Sequence, residues 1–304
     1  MTQVIEAAGL VKKFGRTRAL DGLDLSVDEG EVHGFLGPNG AGKSTTIRVL
    51  LGMLRANGGS ASVFERDPWR DAVSIHRDVA YVPGDVSLWP NLSGGETIDY
   101  LTRLRGGADP QLRARLLGDF ELDPKKKGRS YSKGNRQKVA LVAAFARRAK
   151  LYILDEPTSG LDPVMESVFR TEIERVTQEG ATVLLSSHIL SEVEQLCDRV
   201  TIVRAGKAVE TGALDELRHL TRTSFRVATS ATPAQLQKLA GVHDVRAEAD
   251  HLVFDVDTDA INGVLAALTK AGVTSLTVTP PSLEELFLRH YGDRIPSAGA
   301  ESAA

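Results

Sequence analysis

The stretch Gly37-Pro38-Asn39-Gly40-Ala41-Gly42-Lys43-Ser44-Thr45 restricts this chain more than any other. It has the spacing GxxxxGK[ST], and it lies between a β-rich run, Val32–Leu36, and a stretch of helical spacing that starts at Ser44. Glycines let successive backbone N–H groups turn inward into an anion nest, and the helix N-terminus adds partial positive charge. A loop of this kind cradles phosphates. Lys43 then reaches the β- and γ-phosphates, and the Ser44 hydroxyl is placed to ligate Mg²⁺.

The surrounding pattern agrees with that context. Val4–Leu10, Leu20–Val27, Val79–Val82, Leu151–Leu154, Thr182–Leu185 and Val200–Val203 read as strands. Glu96–Gly118, Val139–Arg148 and Val164–Gln178 read as helices. Alternation of this kind predicts an α/β core around a largely parallel sheet. From residue 221 the register changes to β-α-β-β-α-β, a ferredoxin-like order. Its strands are expected at Ser224–Ala228, His243–Ala247, Leu252–Val256 and Val273–Val278, with helices at Pro233–Leu239 and Ala260–Lys270. Ser282-Leu283-Glu284-Glu285 has the form of a capping box opening a last helix after Pro280-Pro281. The Ser/Ala/Gly-rich tail at 292–304 is expected to be disordered.

Bulk composition removes several function classes. In a chain of 304 residues a formal net charge of −3 does not suggest a nucleic-acid footprint, and the clearest local basic run, Lys125-Lys126-Lys127-Gly128-Arg129, reads first as a solvated loop, so no nucleic-acid partner is expected. The one cysteine, Cys197, excludes an internal disulfide and a multi-thiolate zinc site. No apolar run reaches the roughly 18 residues of a membrane span, and the first residues lack the layout of a signal peptide. Any action at a membrane is therefore expected to pass through a partner.

A magnesium-bound triphosphate needs a carboxylate and an attacking water. Leu151-Tyr152-Ile153-Leu154-Asp155-Glu156 supplies both, an apolar strand delivering Asp155 at the end where ligands gather in α/β sheets. Asp155 is placed to hold Mg²⁺ and Glu156 to polarise water as a general base. With these motifs in order, residues 3–220 resemble the ATP-binding cassette (ABC) ATPases. Further segments extend the likeness. Ser159-Gly160-Leu161-Asp162 resembles the family's D-loop, and Ser186-Ser187-His188 its switch histidine, which implies that His188 contacts the γ-phosphate. Lys12-Lys13-Phe14-Gly15 resembles its adenine-stacking loop, with Phe14 as the aromatic platform.

The resemblance implies a P-loop NTPase cassette over 1–220 with a helical subdomain at about 85–140, and an α+β ferredoxin-like accessory domain over 221–291. It also implies two cassettes that sandwich ATP, each nucleotide held by one glycine loop and the other chain's signature. Two segments look like that signature. Asn91-Leu92-Ser93-Gly94-Gly95-Glu96-Thr97 is the closer in letters, but Ser93 lies 62 residues ahead of Asp155. Tyr131-Ser132-Lys133-Gly134-Asn135 is altered, but Ser132 lies 23 ahead, where the family places its signature. Ser93-Gly94-Gly95-Glu96 is instead an S-x-x-E capping box. Ser132 and Gly134 keep the hydroxyl and the close-approach glycine, so the second segment reads as the working one. The family's Q-loop position, after Val79–Val82 and Pro83, holds Gly84 and then Asp85; Asp85 is expected to substitute for the missing side chain.

The ending Pro280-Pro281-Ser282-Leu283-Glu284-Glu285-Leu286-Phe287-Leu288 resembles that of bacterial drug- and antibiotic-export ATPases. This implies a peripheral subunit at the cytoplasmic face of the cell membrane, paired with a second cassette as a homodimer and with an integral-membrane permease. Trp89 and Pro90 fall in the segment that docks such a permease, where local packing is an equal reading of Trp89. Two alternatives stay open: a cytosolic ABC ATPase without a permease, and the ATPase of an importer.

Overall fold

The computed structural model describes residues 2–219 and 222–279. The chain divides between Gly212 and Ala213 into two compact units, a few residues ahead of the expected break at 220. The helix expected after Pro280-Pro281, the export-like ending and the tail lie outside the described residues.

In the first unit, β1 (Gln3–Phe14) and β2 (Thr17–Asp28) form an antiparallel hairpin. Next come β3 (Val32–Leu36), α1 (Lys43–Leu50) and β4 (Gly58–Val63), which pairs back on β1 to give the sheet order β2-β1-β4. Then follow α2 (Ala72–Ile75), β5 (Val79–Val82), α3 (Gly94–Arg103), α4 (Pro110–Asp119), α5 (Lys133–Phe145) and β6 (Leu151–Asp155). The unit closes with α6 (Pro163–Gln178), β7 (Thr182–Ser187), α7 (Leu190–Leu196), β8 (Arg199–Arg204) and β9 (Lys207–Ala213). The main sheet runs β5-β6-β7-β3-β8-β9, and every pair from β5 to β8 is parallel. β3, β6 and β7 are buried along their whole length, which is why they show no alternation; the polar side chains they bury are bonded, as His33 is to Glu31 and Thr201. Phe145 of α5 stacks on Tyr152 of β6 at 5.3 Å, fixing the signature helix to the strand that delivers Asp155. Cys197 is buried, and burial pushes its thiol up, as expected of an apolar filler.

Three sequence expectations change. The strand β4, Gly-Gly-Ser-Ala-Ser-Val, carries almost no β-propensity and exists because β1 offers it a ladder. The single helix expected over Glu96–Gly118 is two helices. Gly106 and Gly107 take φ of 103° and 99°, which ends α3, and Asp109 restarts the chain by accepting from the Gln111 and Leu112 amides ahead of Pro110. The helix expected to open at Val139 begins a turn and a half earlier, at Lys133, because Ser132 caps it.

The capping box at Ser93 is present. Ser93 Oγ accepts from the Glu96 amide at 3.2 Å, and Glu96 Oε2 accepts from the Ser93 amide at 2.6 Å. The segment that spells the signature more closely is thus a helix start.

The second unit opens with α8 (Leu214–His219). It continues β10 (Thr223–Thr229), α9 (Pro233–Leu236), β11 (Val242–Glu248), β12 (His251–Val256), α10 (Ile261–Ala271) and β13 (Val273–Thr279). The antiparallel sheet order β11-β12-β10-β13 is the ferredoxin-like one. Phe225 stacks on Phe254 at 5.5 Å, over a core with Val227, Leu236, Val264 and Leu268.

The Ser93 amide and hydroxyl, with Lys127, hold the Glu96 carboxyl down at about 2, below its ordinary 4.5. A lowered carboxyl stabilises the fold above its ordinary value and loses that contribution as pH falls through the folded value. Ser93→Ala should cost about 1 kcal/mol at neutral pH. Thermal melts of Glu96→Gln should lie below the parent at neutral pH and converge on it as pH falls from 4.5 towards about 2.

Candidate functional site

Three strands end side by side. The order β6-β7-β3 sets the C-terminal ends of Leu151–Asp155, Thr182–Ser187 and Val32–Leu36 next to one another. The glycine loop leaves β3 at Gly37, whose amide donates to the Ser187 carbonyl at 3.3 Å. The Ala41 amide donates to the Pro38 carbonyl at 3.1 Å, which curls the loop. Gly42 ends it at φ 116° as the cap of α1; a Cβ there would meet Leu20 Cδ2 at 2.9 Å and the Ala19 carbonyl at 3.0 Å. Asn39 and Gly40 form the exposed crest, and Ser44 and Thr45 stand half-buried at the start of α1.

Lys43 is buried and turned across this loop. Its Nζ donates to the Gly37 carbonyl at 2.5 Å and the Pro38 carbonyl at 3.3 Å, and lies 3.6 Å from Glu156 Oε1. Burial pulls the ammonium below its ordinary range, while Glu156 and Asp155 hold it partway up.

Glu156 follows β6 at φ 48°, a left-handed conformation that costs a side-chain-bearing residue of order 1 kcal/mol or more and that clusters at working sites. Its amide donates to the Ser186 carbonyl at 3.0 Å. Its Oε1 also lies 3.2 Å from His188 Nδ1. Lys43, Glu156 and His188, far apart in sequence, thus meet at one carboxylate oxygen.

Asp155 is buried, and its Oδ1 accepts from Ser186 Oγ at 2.5 Å. Tyr81 of the neighbouring β5 is pushed up to about 12 by burial and then by the Asp155 charge. Magnesium takes one or two carboxylates and fills its shell with phosphate oxygens and water. With Oδ1 bonded to Ser186, Asp155 Oδ2 remains on the side of Gly84, and the Ser44 hydroxyl is the second hard oxygen. This donor set fits such an ion. No full cage of three or more His, Cys, Asp or Glu exists among the described residues.

Position 84 itself abuts this centre: a Cβ on Gly84 would lie 3.2 Å from the Asp155 carbonyl and 3.7 Å from Oδ2. Asp85, one residue on, is exposed and lines a separate cavity with Arg129 and Arg136. Phe14 stands apart on the β1–β2 hairpin, 48% exposed, with Lys12 Nζ 5.2 Å from its ring centroid.

The altered signature caps α5, with Ser132 Oγ accepting from the Asn135 amide at 3.2 Å. Its neighbour is the segment after Glu156, held residue by residue. Gln137, buried, donates to the Pro157 carbonyl at 2.9 Å. Thr158 donates to Glu192. Lys133 Nζ donates to Ser159 Oγ at 2.9 Å. Gly134 lies against Gly160, so close that a Cβ on Gly134 would stand 2.4 Å from the Gly160 carbonyl. Sequence reasoning placed Ser132 and Gly134 here, took Lys133 to point outward and read Gln137 as part of an export-branch variant of the signature, but assigned no contact to Gln137, Ser186 or Glu192.

Comparison with known proteins finds two family matches along the chain. Residues 20–159 match the family described as ABC transporter, and residues 212–291 match the ATP-binding protein DrrA1-3-like C-terminal domain. The chain is 33% identical to the daunorubicin resistance ATP-binding protein DrrA3 of Streptomyces coeruleorubidus, over 95% of this chain and 96% of that one. It is 30% identical to the bacitracin transport ATP-binding protein BcrA of Bacillus licheniformis, over 96% and 98%. A solved structure of an ATP-binding subunit of an ABC transporter superposes with a TM-score of 0.66 at 31% identity, covering 71% of this chain and 92% of that one.

Gly134→Ala should push the two loops apart. ATP turnover is expected to fall by about tenfold or more, while nucleotide affinity, measured by equilibrium binding, stays within about threefold, because the glycine loop is untouched.

Proposed function

We propose a function from one premise: this chain belongs to the ABC transporter family, as an ATP-binding and ATP-hydrolysing subunit. On that premise it powers export of a drug, antibiotic or other hydrophobic compound through a separate membrane permease. The observation that carries the reading is the Glu156 carboxylate, bracketed by Lys43 at 3.6 Å and His188 at 3.2 Å. The relatives named for daunorubicin resistance and bacitracin transport, matched nearly end to end, support the exporter assignment. No helix among the described residues is long and apolar enough to cross a membrane, which fits a peripheral subunit held at the cytoplasmic face by its permease.

In this reading the loop amides of Asn39, Gly40 and Gly42 cradle the phosphates, with Gly37, Pro38 and Ala41 shaping the turn. Lys43 exchanges its loop carbonyls for β- and γ-phosphate oxygens, and Thr45 lies beside them. Ser44 and Asp155 would hold Mg²⁺, which supplies charge neutralisation at the phosphates. Glu156 accepts the proton of the attacking water, and His188 orients the γ-phosphate from the opposite side. Ser132 and Gly134 of a second cassette, most simply another copy of this chain, close over the nucleotide, while Phe14 stacks on the adenine. ATP favours the closed pair and hydrolysis releases it, so the permease alternates with the cassettes. With Gly84 bare, Asp85, which faces a separate cavity here, would have to turn towards the attacking water as the pair closes in order to substitute. Asp85→Ala should then cut turnover by about tenfold or more with nucleotide binding intact; unchanged turnover would remove Asp85 from the machinery.

The docking surface is supported by an apolar cavity of about 340 Å³ between β5, α3 and α5, lined by Met53, Tyr81, Leu88, Trp89, Leu101 and Leu104. Trp89 is 46% exposed and also packs edge-on to Tyr100 at 5.2 Å, so packing presents the ring rather than hiding it. Tagged Glu156→Gln, trapped with ATP and gently solubilised from native membranes, should bring down a polytopic membrane protein in stoichiometric yield. Adding Trp89→Ala and Leu104→Glu should lose that protein. A soluble homodimer without a membrane partner would favour a cytosolic ATPase, and a permease accompanied by a binding protein would favour an importer.

A further inference from the structure

Between the two loops that bring Glu156 and His188 together lies a third carboxylate, to which the functional reading gives no task. Glu192 is the third residue of α7 and half-buried. Its two oxygens face two different loops. Oε2 accepts from Ser187 Oγ at 2.6 Å, and the same hydroxyl accepts from the Ile189 amide at 2.9 Å. Oε1 accepts from Thr158 Oγ1 in a close hydrogen bond. Ser187 immediately precedes His188, and Thr158 lies two residues beyond Glu156 in a turn closed by the Ser159 amide on the Glu156 carbonyl at 3.1 Å. Both hydroxyl residues are buried.

We propose that Glu192 is a positioning residue that sets the distance between Glu156 and His188, by holding Thr158 with one carboxylate oxygen and Ser187 with the other. The proposal rests on the ATPase reading and adds a part to it. Hydrogen bonds to an ionised acceptor are shorter and stronger than neutral ones, and two of them on one rigid carboxylate fix two loops relative to each other. A misplacement of about 1 Å at a reacting centre can cost about a hundredfold in rate. The loops bonded to Glu192 carry the proposed base and the γ-phosphate contact; the glycine loop that binds nucleotide is not among them. Loss of the carboxylate should therefore act on turnover and spare affinity.

The test measures ATP turnover and equilibrium nucleotide binding on the full-length chain, with and without its membrane partner. Glu192→Ala should lower kcat by about thirtyfold with KM and Kd within about threefold. Glu192→Gln keeps the length, and since hydroxyls also accept hydrogen bonds it should recover most of the rate. Glu192→Asp, one methylene short, should not. The double variant Thr158→Val with Ser187→Ala should lose as much as Glu192→Ala, and adding Glu192→Ala to it should cost less than about threefold more. Unchanged kcat in Glu192→Ala, a KM rise at full kcat, or losses that multiply would each overturn the assignment while the parent chain still turns over ATP. If Glu192→Ala fails to fold, the Gln-against-Asp contrast decides, and equal rates in those two would overturn it. A parent chain that turns over no ATP in either setting would overturn the functional reading, and this inference with it.

Discussion

Parallel pairing of β6, β7 and β3 is the constraint from which the site follows. A parallel ladder aligns strand ends, so whatever residue follows each strand faces the same opening. Lys43 follows β3 by one glycine loop, Glu156 follows β6 directly, and His188 follows β7 directly. None of these groups reaches its place through its own local structure. Each is carried there by a buried strand, and β7 adds two hydroxyls, Ser186 and Ser187, that bond Asp155 and Glu192. The same alignment explains why bond partners recur across the set: the Ser186 carbonyl receives the Glu156 amide, and the Ser187 carbonyl receives the Gly37 amide. β7 therefore acts as a spine between the phosphate loop and the carboxylates.

The decision between the two signature-like segments shows where letters mislead. Ser93-Gly94-Gly95-Glu96 keeps more of the family spelling, yet its two side chains cap α3 and its Gly94 and Gly95 amides donate to the Lys126 and Pro124 carbonyls. Tyr131-Ser132-Lys133-Gly134-Asn135 keeps less, yet its backbone touches the segment that leads from Glu156. The segment keeps one hydroxyl at a helix cap and one residue without a side chain, and Lys133 between them runs its side chain sideways onto Ser159.

Much of this was legible in the sequence, for physical reasons that differ by residue. The glycine loop and Asp155-Glu156 declare themselves because their chemistry needs fixed neighbours along the chain, whereas His188 was reached only through the family resemblance. The ferredoxin-like order of the second unit was readable because its strands alternate and its helices are amphipathic. By contrast, β4 was invisible: its glycines and serines gain strand form only from the partner strand. The break at Gly106-Gly107 was passed over because the helical periodicity continues on both sides of it. Ser186 and Glu192 could not be found at all. A serine in a buried strand and a glutamate early in a helix are ordinary in one dimension, and their meaning lies in contacts across 31 and 34 residues.

The stretch from Pro157 to Gly160 is bonded at three residues, by Gln137 on a carbonyl and by Glu192 and Lys133 on hydroxyls, and at the fourth Gly134 packs closely against the Gly160 carbonyl. A strap bonded at three successive points and hemmed in at the next has little slack. It tolerates exchange of one fastening for another of the same reach, but not a change in its own length. Drift in this part of the chain must therefore proceed by substitution rather than by insertion or deletion. The start of α5 and the start of α7, remote in sequence, are bound to vary in step with it, as parts cut to one template.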